Sequence, residues 1–312
     1  MKYILLPITS TITHPIFTLL VLTVGLSVFS GCAPFKKITR DVTGAGGDLK
    51  KKLAITVFEN RTRTVSDEII ESFHRQLTAK LTRACSDTLL VTPEEKTFPD
   101  YLKNLPRLSS GLIDNYAFAT TGRKFGFNAI VTGNLLDTKI DEEAYGFWWF
   151  KGSRPYVELL VGVEVMDTET GAKILDERFN QKIKIREEEF AALRSKETRA
   201  LQVLIKPLQQ IADDVGESIC DTVNSQPWKG YIISVLTDKV ILSSSKDTGL
   251  APGDVLDVYD SGSTISGYAG QQFFLPGLKI GEIRITAVYP SRSEAVVVSG
   301  TNIKEGCSAK RK

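Results

Sequence analysis

Apolar residues follow three different patterns along this chain. From Ile16 to Phe29 they form one almost unbroken run of Leu, Val, Ile and Phe with Thr and Gly. Leu53–Phe58 is a short apolar run rich in β-branched residues, as in a buried strand. Ile69, Ile70, Phe73, Leu77 and Leu81 then recur at helical spacing behind Ser66, which can cap the helix, with Asp67 and Glu68 in its first turn. Leu89–Val91 predicts a second strand ended by Pro93, and the proline-bearing stretch 92–110 predicts irregular chain. A helix over 111–125, buried through Ile113, Tyr116, Ala117 and Phe125, ends at Gly126. Strands follow over 128–136, 156–166 and 173–185, the last two joined by the turn Asp167-Thr168-Glu169-Thr170-Gly171. Residues 187–223 read as helix broken at Pro207, with Leu193, Leu201, Leu204, Leu208, Ile211, Val215 and Ile219 inward. After Asn224–Pro227 no helix is expected. Short strands at 231–235, 239–242, 255–259, 279–288 and 293–298, punctuated by glycine, predict a small barrel or sandwich.

The pattern therefore predicts an α+β chain: a mixed or antiparallel sheet packed with helices over 51–223, then a small all-β barrel over 228–308. Residues 1–31 are expected to be a signal peptide, and 32–50 a flexible tether. Lys2 is the only Lys, Arg, Asp or Glu before Lys36, and the apolar core is shorter than the roughly 20 residues a spanning helix needs. The string Val28-Phe29-Ser30-Gly31-Cys32 resembles a bacterial lipoprotein signal, with Phe29 where Leu is usual. That resemblance implies cleavage before Cys32 and acylation of its sulfur and new amino end. Several acyl chains, at roughly 0.8 kcal/mol per buried methylene, hold a protein stably on a membrane. Ala33 in place of Asp implies, by the same resemblance, delivery to the outer membrane, facing the periplasm.

Composition narrows the function. The chain is 42% hydrophobic and 24% charged, ordinary globular material. A formal net charge of +2 makes no electrostatic case for nucleic acid, and Lys310-Arg311-Lys312 reads as a short solvated tail. Of two histidines only His74 follows Cys32, mid-helix. A His-based triad or metal site therefore has little to stand on, and neither cofactor nor metal is expected. Beyond Cys32 there are Cys85, Cys220 and Cys307. Cys85 and Cys220, each late in an expected helix, are a candidate disulfide, with buried free thiols as the alternative.

Residues 121–133, Thr-Gly-Arg-Lys-Phe-Gly-Phe-Asn-Ala-Ile-Val-Thr-Gly, are similar to the helix-to-strand junction of the curli-secretion lipoprotein family and its TolB N-terminal-like relatives. The strand over 53–60 and the hairpin over 161–171 extend the resemblance across about 50–223. Residues 228–308 resemble the C-terminal domain of flagellar assembly protein T, through 239–242, 249–259 and 280–285, with Cys307 where such barrels carry Asp. Neither family implies catalytic residues.

The segment Phe147-Trp148-Trp149-Phe150, between Gly146 and Gly152, is the candidate contact surface. Exposed, it would call for a protein partner or a membrane interface; otherwise it folds onto its own sheet. A second apolar loop, 271–277, is expected to close the barrel's end. The expected function is a non-enzymatic, membrane-anchored envelope interaction module, which the resemblance makes a candidate for the flagellar base. The alternative is a subunit of an oligomeric outer-membrane export complex. Self-association stays open, as does an envelope hydrolase using Ser and Lys.

Overall fold

The computed structural model describes residues 49–62, 65–195, 197, 201–237 and 239–312, which fall in one compact unit. Cys32 and the segment before it lie outside the described residues. The sheet is built from β1 (Lys51–Ile55), β2 (Glu59–Asn60), β3 (Thr88–Val91), β4 (Ala129–Tyr145), β5 (Gly152–Asp167) and β6 (Lys173–Lys184). Its order is β3-β1-β4-β5-β6, with β2 also on β4. β1 runs parallel to β3 and β4, whereas β4, β5 and β6 are antiparallel. The sheet is thus mixed, as the pattern requires.

One face carries α1 (Asp67–Ala84), whose buried side is the expected Ile69, Ile70, Phe73, Leu77 and Leu81. Ser66 occupies the N-cap position but makes no side-chain cap bond; its carbonyl accepts from the Ile69 amide instead. The short α2 (Asp100–Lys103) and α3 (Asn115–Phe125) come next. α3 starts four residues later than the expected Gly111, because the Asp114 carboxylate accepts from the Ala117 amide and fixes the first turn there. Phe118, Ala119, Gly122 and Arg123 are buried, the expected Ile113 and Phe125 pack partly buried against the same core, and Tyr116 is exposed instead of buried. Gly126 ends α3 in the left-handed region (φ 72°), as expected.

The long terminal helix is interrupted between α4 (Glu187–Arg194) and α5 (Leu201–Ser225), while Pro207 lies inside α5. The break falls at Ser195, whose hydroxyl caps the Ala191 and Ala192 carbonyls. Leu204, Leu208, Ile211, Val215 and Ile219 are all buried with α1 over β4 and β5.

The barrel comprises β7 (Gly230–Val235), β8 (Val240–Leu242), β9 (Val255–Tyr259), β12 (Lys279–Val288), β13 (Ser293–Gly300) and β14 (Ser308–Arg311). It closes in the order β12-β13-β8-β7-β14-β9, all antiparallel. The basic end of the chain is therefore a strand and no loose tail: Lys310 pairs with Glu169 at 2.8 Å and Lys312 with Glu282 at 2.8 Å. Leu49 and Lys50, expected in the tether, are held by the barrel, Leu49 buried in its core and the Lys50 amide on the Thr248 carbonyl. The expected barrel lid is a hairpin of β10 (Thr264–Ser266) and β11 (Gln272–Phe274) that reaches α3, where Phe274 stacks on Tyr116 at 4.9 Å.

Candidate functional site

The longest antiparallel ladder among the described residues belongs to β4 and β5, paired from Ala129↔Asp167 to Tyr145↔Gly152. Sequence patterning stopped both strands near Leu136 and Tyr156, because charged residues replace the apolar alternation beyond that point. The strands continue because β-pairing needs only main-chain groups. Inner-face cover reaches Val157 and Ile140, which pack with α4. The last three pairs, Glu143↔Arg154 to Tyr145↔Gly152, stand clear as a free ribbon, the Ile185 amide beyond β6 still donating to the Pro155 carbonyl.

At the ribbon's end Gly146 (φ 91°) turns the chain, and any Cβ there would strike the Phe150 carbonyl. The Phe150 amide donates to the Phe147 carbonyl at 3.1 Å, and Trp148 takes a left-handed conformation (φ 53°). A bulky residue adopts that conformation at a cost, and here it turns both indoles outward. Phe147, Trp148, Trp149 and Phe150 are 82%, 69%, 69% and 74% exposed. They touch one another, Trp148 to Trp149 with ring centroids 4.6 Å apart, and do not fold back on the sheet. Arg154 braces the ribbon by stacking over Tyr145 at 4.1 Å.

The opposite end of β5 carries a buried polar cluster that patterning missed. Lys229 is buried and reaches Asp167 at 2.5 Å and Glu169 at 3.2 Å. Glu169 also takes Lys310 and the Ser308 hydroxyl, at 2.8 and 2.9 Å. Burial alone would raise the Glu169 carboxyl, but Lys229, Lys310 and Ser308 outweigh it and hold it below the ordinary range. Arg123 donates to the Thr168 and Glu169 carbonyls and lies 3.8 Å over the Phe274 ring. Tyr231, fully buried, meets the Thr168 hydroxyl at 2.8 Å, and burial pushes its phenol far up. Lys229 and Lys310 are thus paired with Asp167 and Glu169 within the junction, whereas Arg123 is held by main-chain carbonyls. The signal available in sequence was acidic residues in a turn that would otherwise be solvated.

His74 is half-buried on the flank of α1, its Nε2 4.0 Å from exposed Glu94, and burial lowers its pKa. Cys85 and Cys220 are bonded, with Cα atoms 5.6 Å apart, and Cys307 is buried and free. Among the described residues no helix is long and apolar enough to cross a membrane. A 550 Å³ cavity against the open sheet face holds Arg107 and Lys173, each already paired, with Glu59 and with Glu164 and Asp176.

No family model matches the chain, and no curated protein matches it. Among solved structures it is similar to a hypothetical protein of Chlamydia trachomatis at 12% identity, covering 57% of this chain and 99% of that one, with TM-score 0.37. A lipoprotein of Neisseria meningitidis matches at 9% identity over 49% and 99% of the two chains, TM-score 0.30. A minor lipoprotein of Acinetobacter baumannii matches at 14% identity over 56% and 93%, TM-score 0.27. Likeness this loose carries no argument about function.

Proposed function

We propose that the chain is a non-enzymatic lipoprotein of the cell envelope, acylated on Cys32, held at the periplasmic face of the outer membrane, and acting by presenting Phe147–Phe150 to a protein partner. The carrying observation is the exposure of four adjacent aromatics at the end of a strand ribbon. An apolar cluster held in water this way marks an interaction site.

Strand direction favours a protein over the anchoring bilayer. β1 starts beside Ala129, at the base of β4, whereas the aromatics lie beyond Tyr145 at its far end. Sixteen strand steps span about 50 Å. The 17 residues from Cys32 to Leu49 reach at most about 60 Å when fully extended. For tip and acylated Cys32 to share one bilayer with the arm upright, this segment would have to run nearly taut along the arm. Directed along that bilayer or away from it, the tip needs no such stretch.

The export role implied by one resemblance fits less well. A spanning strand needs about 9–11 residues, and only three pairs stand free. The flagellar role rests on resemblance alone.

The test is a photo-crosslinking residue at position 149 in intact cells. One discrete protein adduct, absent when the crosslinker sits at exposed Tyr101, supports the reading. In parallel, vesicles of brominated lipid should leave the tryptophan fluorescence of the bound protein unquenched. Strong quenching, or crosslinking to lipid alone, would replace the protein partner by the membrane.

A further inference from the structure

β6 is an edge strand of twelve residues, Lys-Ile-Leu-Asp-Glu-Arg-Phe-Asn-Gln-Lys-Ile-Lys, with no neighbour on its outer side among the described residues. An edge of this length is a template for another strand unless something blocks it. The Ile185 amide donates inward to the Pro155 carbonyl at 3.1 Å, so the alternate, even positions turn their main-chain groups away from β5. Asp176, Arg178, Asn180 and Lys182 thus offer a row of outward donors and acceptors.

The side chains then decide what can pair. Leu175, Phe179 and Ile183 sit opposite Val165, Val161 and Val157 on the helix-covered face. Asp176, Arg178, Asn180 and Lys182 are exposed on the other. A second copy related by a two-fold axis normal to the sheet keeps these faces matched only if the axis passes through a residue. With the axis at Asp176, Glu177, Arg178 or Lys182, that charge meets its own copy. With it at Asn180 or Gln181, Arg178 faces Lys182 or Lys184; at Ile183, Lys182 faces Lys184. At Ile174 or Leu175 no like charges meet, but the overlap extends no further than Lys173 against Glu177; at Phe179 none meet and the pairing runs from Ile174 to Lys184. Phe179 then lies against Phe179, Leu175 against Ile183, Glu177 against Gln181, Arg178 against Asn180, and Asp176 against Lys182 twice over.

We propose that the outer edge of β6 is a homotypic interface, two copies pairing antiparallel about a two-fold axis through Phe179. The result is a continuous sheet with the two aromatic tips at opposite ends, so two anchored copies pair with their arms lying along the bilayer and neither tip directed into it. Within one chain Asp176 already touches Lys173 at 2.9 Å and Lys182 touches Glu143 at 3.0 Å. Those pairs are exposed and weak, so exchanging them for cross-strand partners costs little.

The experiment is sedimentation of the full chain in detergent micelles over a concentration series. Wild type should dimerise reversibly. Asp176→Lys or Lys182→Asp, each turning two attractive pairs into repulsive ones, should weaken the dimer on the order of tenfold. An equimolar mixture of the two variants should form a heterodimer as tight as wild type. Asn180→Pro removes an outward amide, which an edge strand tolerates, and should be monomeric with an unchanged melting temperature. A monomeric wild type up to its solubility limit, a mixture that fails to re-form the dimer, or a dimer surviving Asn180→Pro would each overturn the proposal.

Discussion

Breaking the Cys85–Cys220 link tests both the energetics of the sheet's helical layer and the compartment the chain occupies. The bond joins the C-terminal end of α1 to α5 across a sequence separation of 135 residues, and both sulfur-bearing residues are buried. Closing a loop of that size removes roughly 5 kcal/mol of entropy from the unfolded chain in the simplest model, against about 2–4 kcal/mol for typical measured bonds. Taking about 4 kcal/mol, and about 2–4 °C per kcal/mol for a chain of this size, the melting temperature should fall on the order of 10 °C. The assay compares melts with and without reductant, and of the Cys85→Ala/Cys220→Ala double variant. Protein drawn from cells under alkylating conditions should show, after denaturation, Cys307 as its only alkylated thiol. Such a bond persists in oxidising compartments, so the state of Cys85 and Cys220 locates the chain independently of Cys32. A melt unaffected by reductant would refute the energetic reasoning. Three alkylated thiols would refute an envelope location.

The junction should be sensitive in a different way. Lys229→Met leaves Asp167 and Glu169 buried without their shared cation, and should cost about 3–5 kcal/mol in urea unfolding. Because the native Glu169 carboxyl is held below its ordinary value, its stabilisation is complete above the unfolded-state pKa of roughly 4.3 and is lost as pH falls through the native one. Glu169→Gln should therefore flatten the acid limb of melting temperature against pH. Replacing Trp148 and Trp149 by Ser should abolish crosslinking to the partner while changing stability by no more than about 0.5 kcal/mol, since neither ring packs on the core. A large loss of stability would instead place both rings in the packed structure.

Elements whose burial is periodic were legible in sequence. α1 shows this best, its five buried apolar residues falling at the spacing that defines them, and so do Gly126 and the inward face of α5. At Gly133 in β4 a Cβ would strike the Phe58 ring, a reason that lies elsewhere in the chain. Elements held by long-range pairing were not legible. The outer halves of β4 and β5 are charged, and their pairing partner, not their composition, makes them strands. The same applies to β14, which reads as a basic tail until β7 and β9 bind its main chain. In α3 a local cap displaced the helix start, and Tyr116, expected inward, is exposed. The lysine at 229 gave no sign of burial because its partners are 60 or more residues away.

The aromatic tip and the buried junction are the two ends of one strand. β5 begins at Gly152, beside the aromatic turn, and finishes at Asp167, the residue Lys229 grips. The barrel therefore holds the β5–β6 turn at its base through Lys229, Lys310, Tyr231 and the Arg123–Phe274 stack. Those contacts are mostly buried polar bonds, which fix an orientation more sharply than apolar area does because each has a preferred direction. An apolar junction could have held the barrel as firmly while leaving it free to slide. The cost is a cluster of charges that must all be present together. What it secures is a fixed direction for an arm whose tip is about 50 Å from its base, where a small rotation at the junction would displace the aromatics by several ångströms. The acidic turn Asp167–Glu169 supplies that fixed direction at the base of the arm.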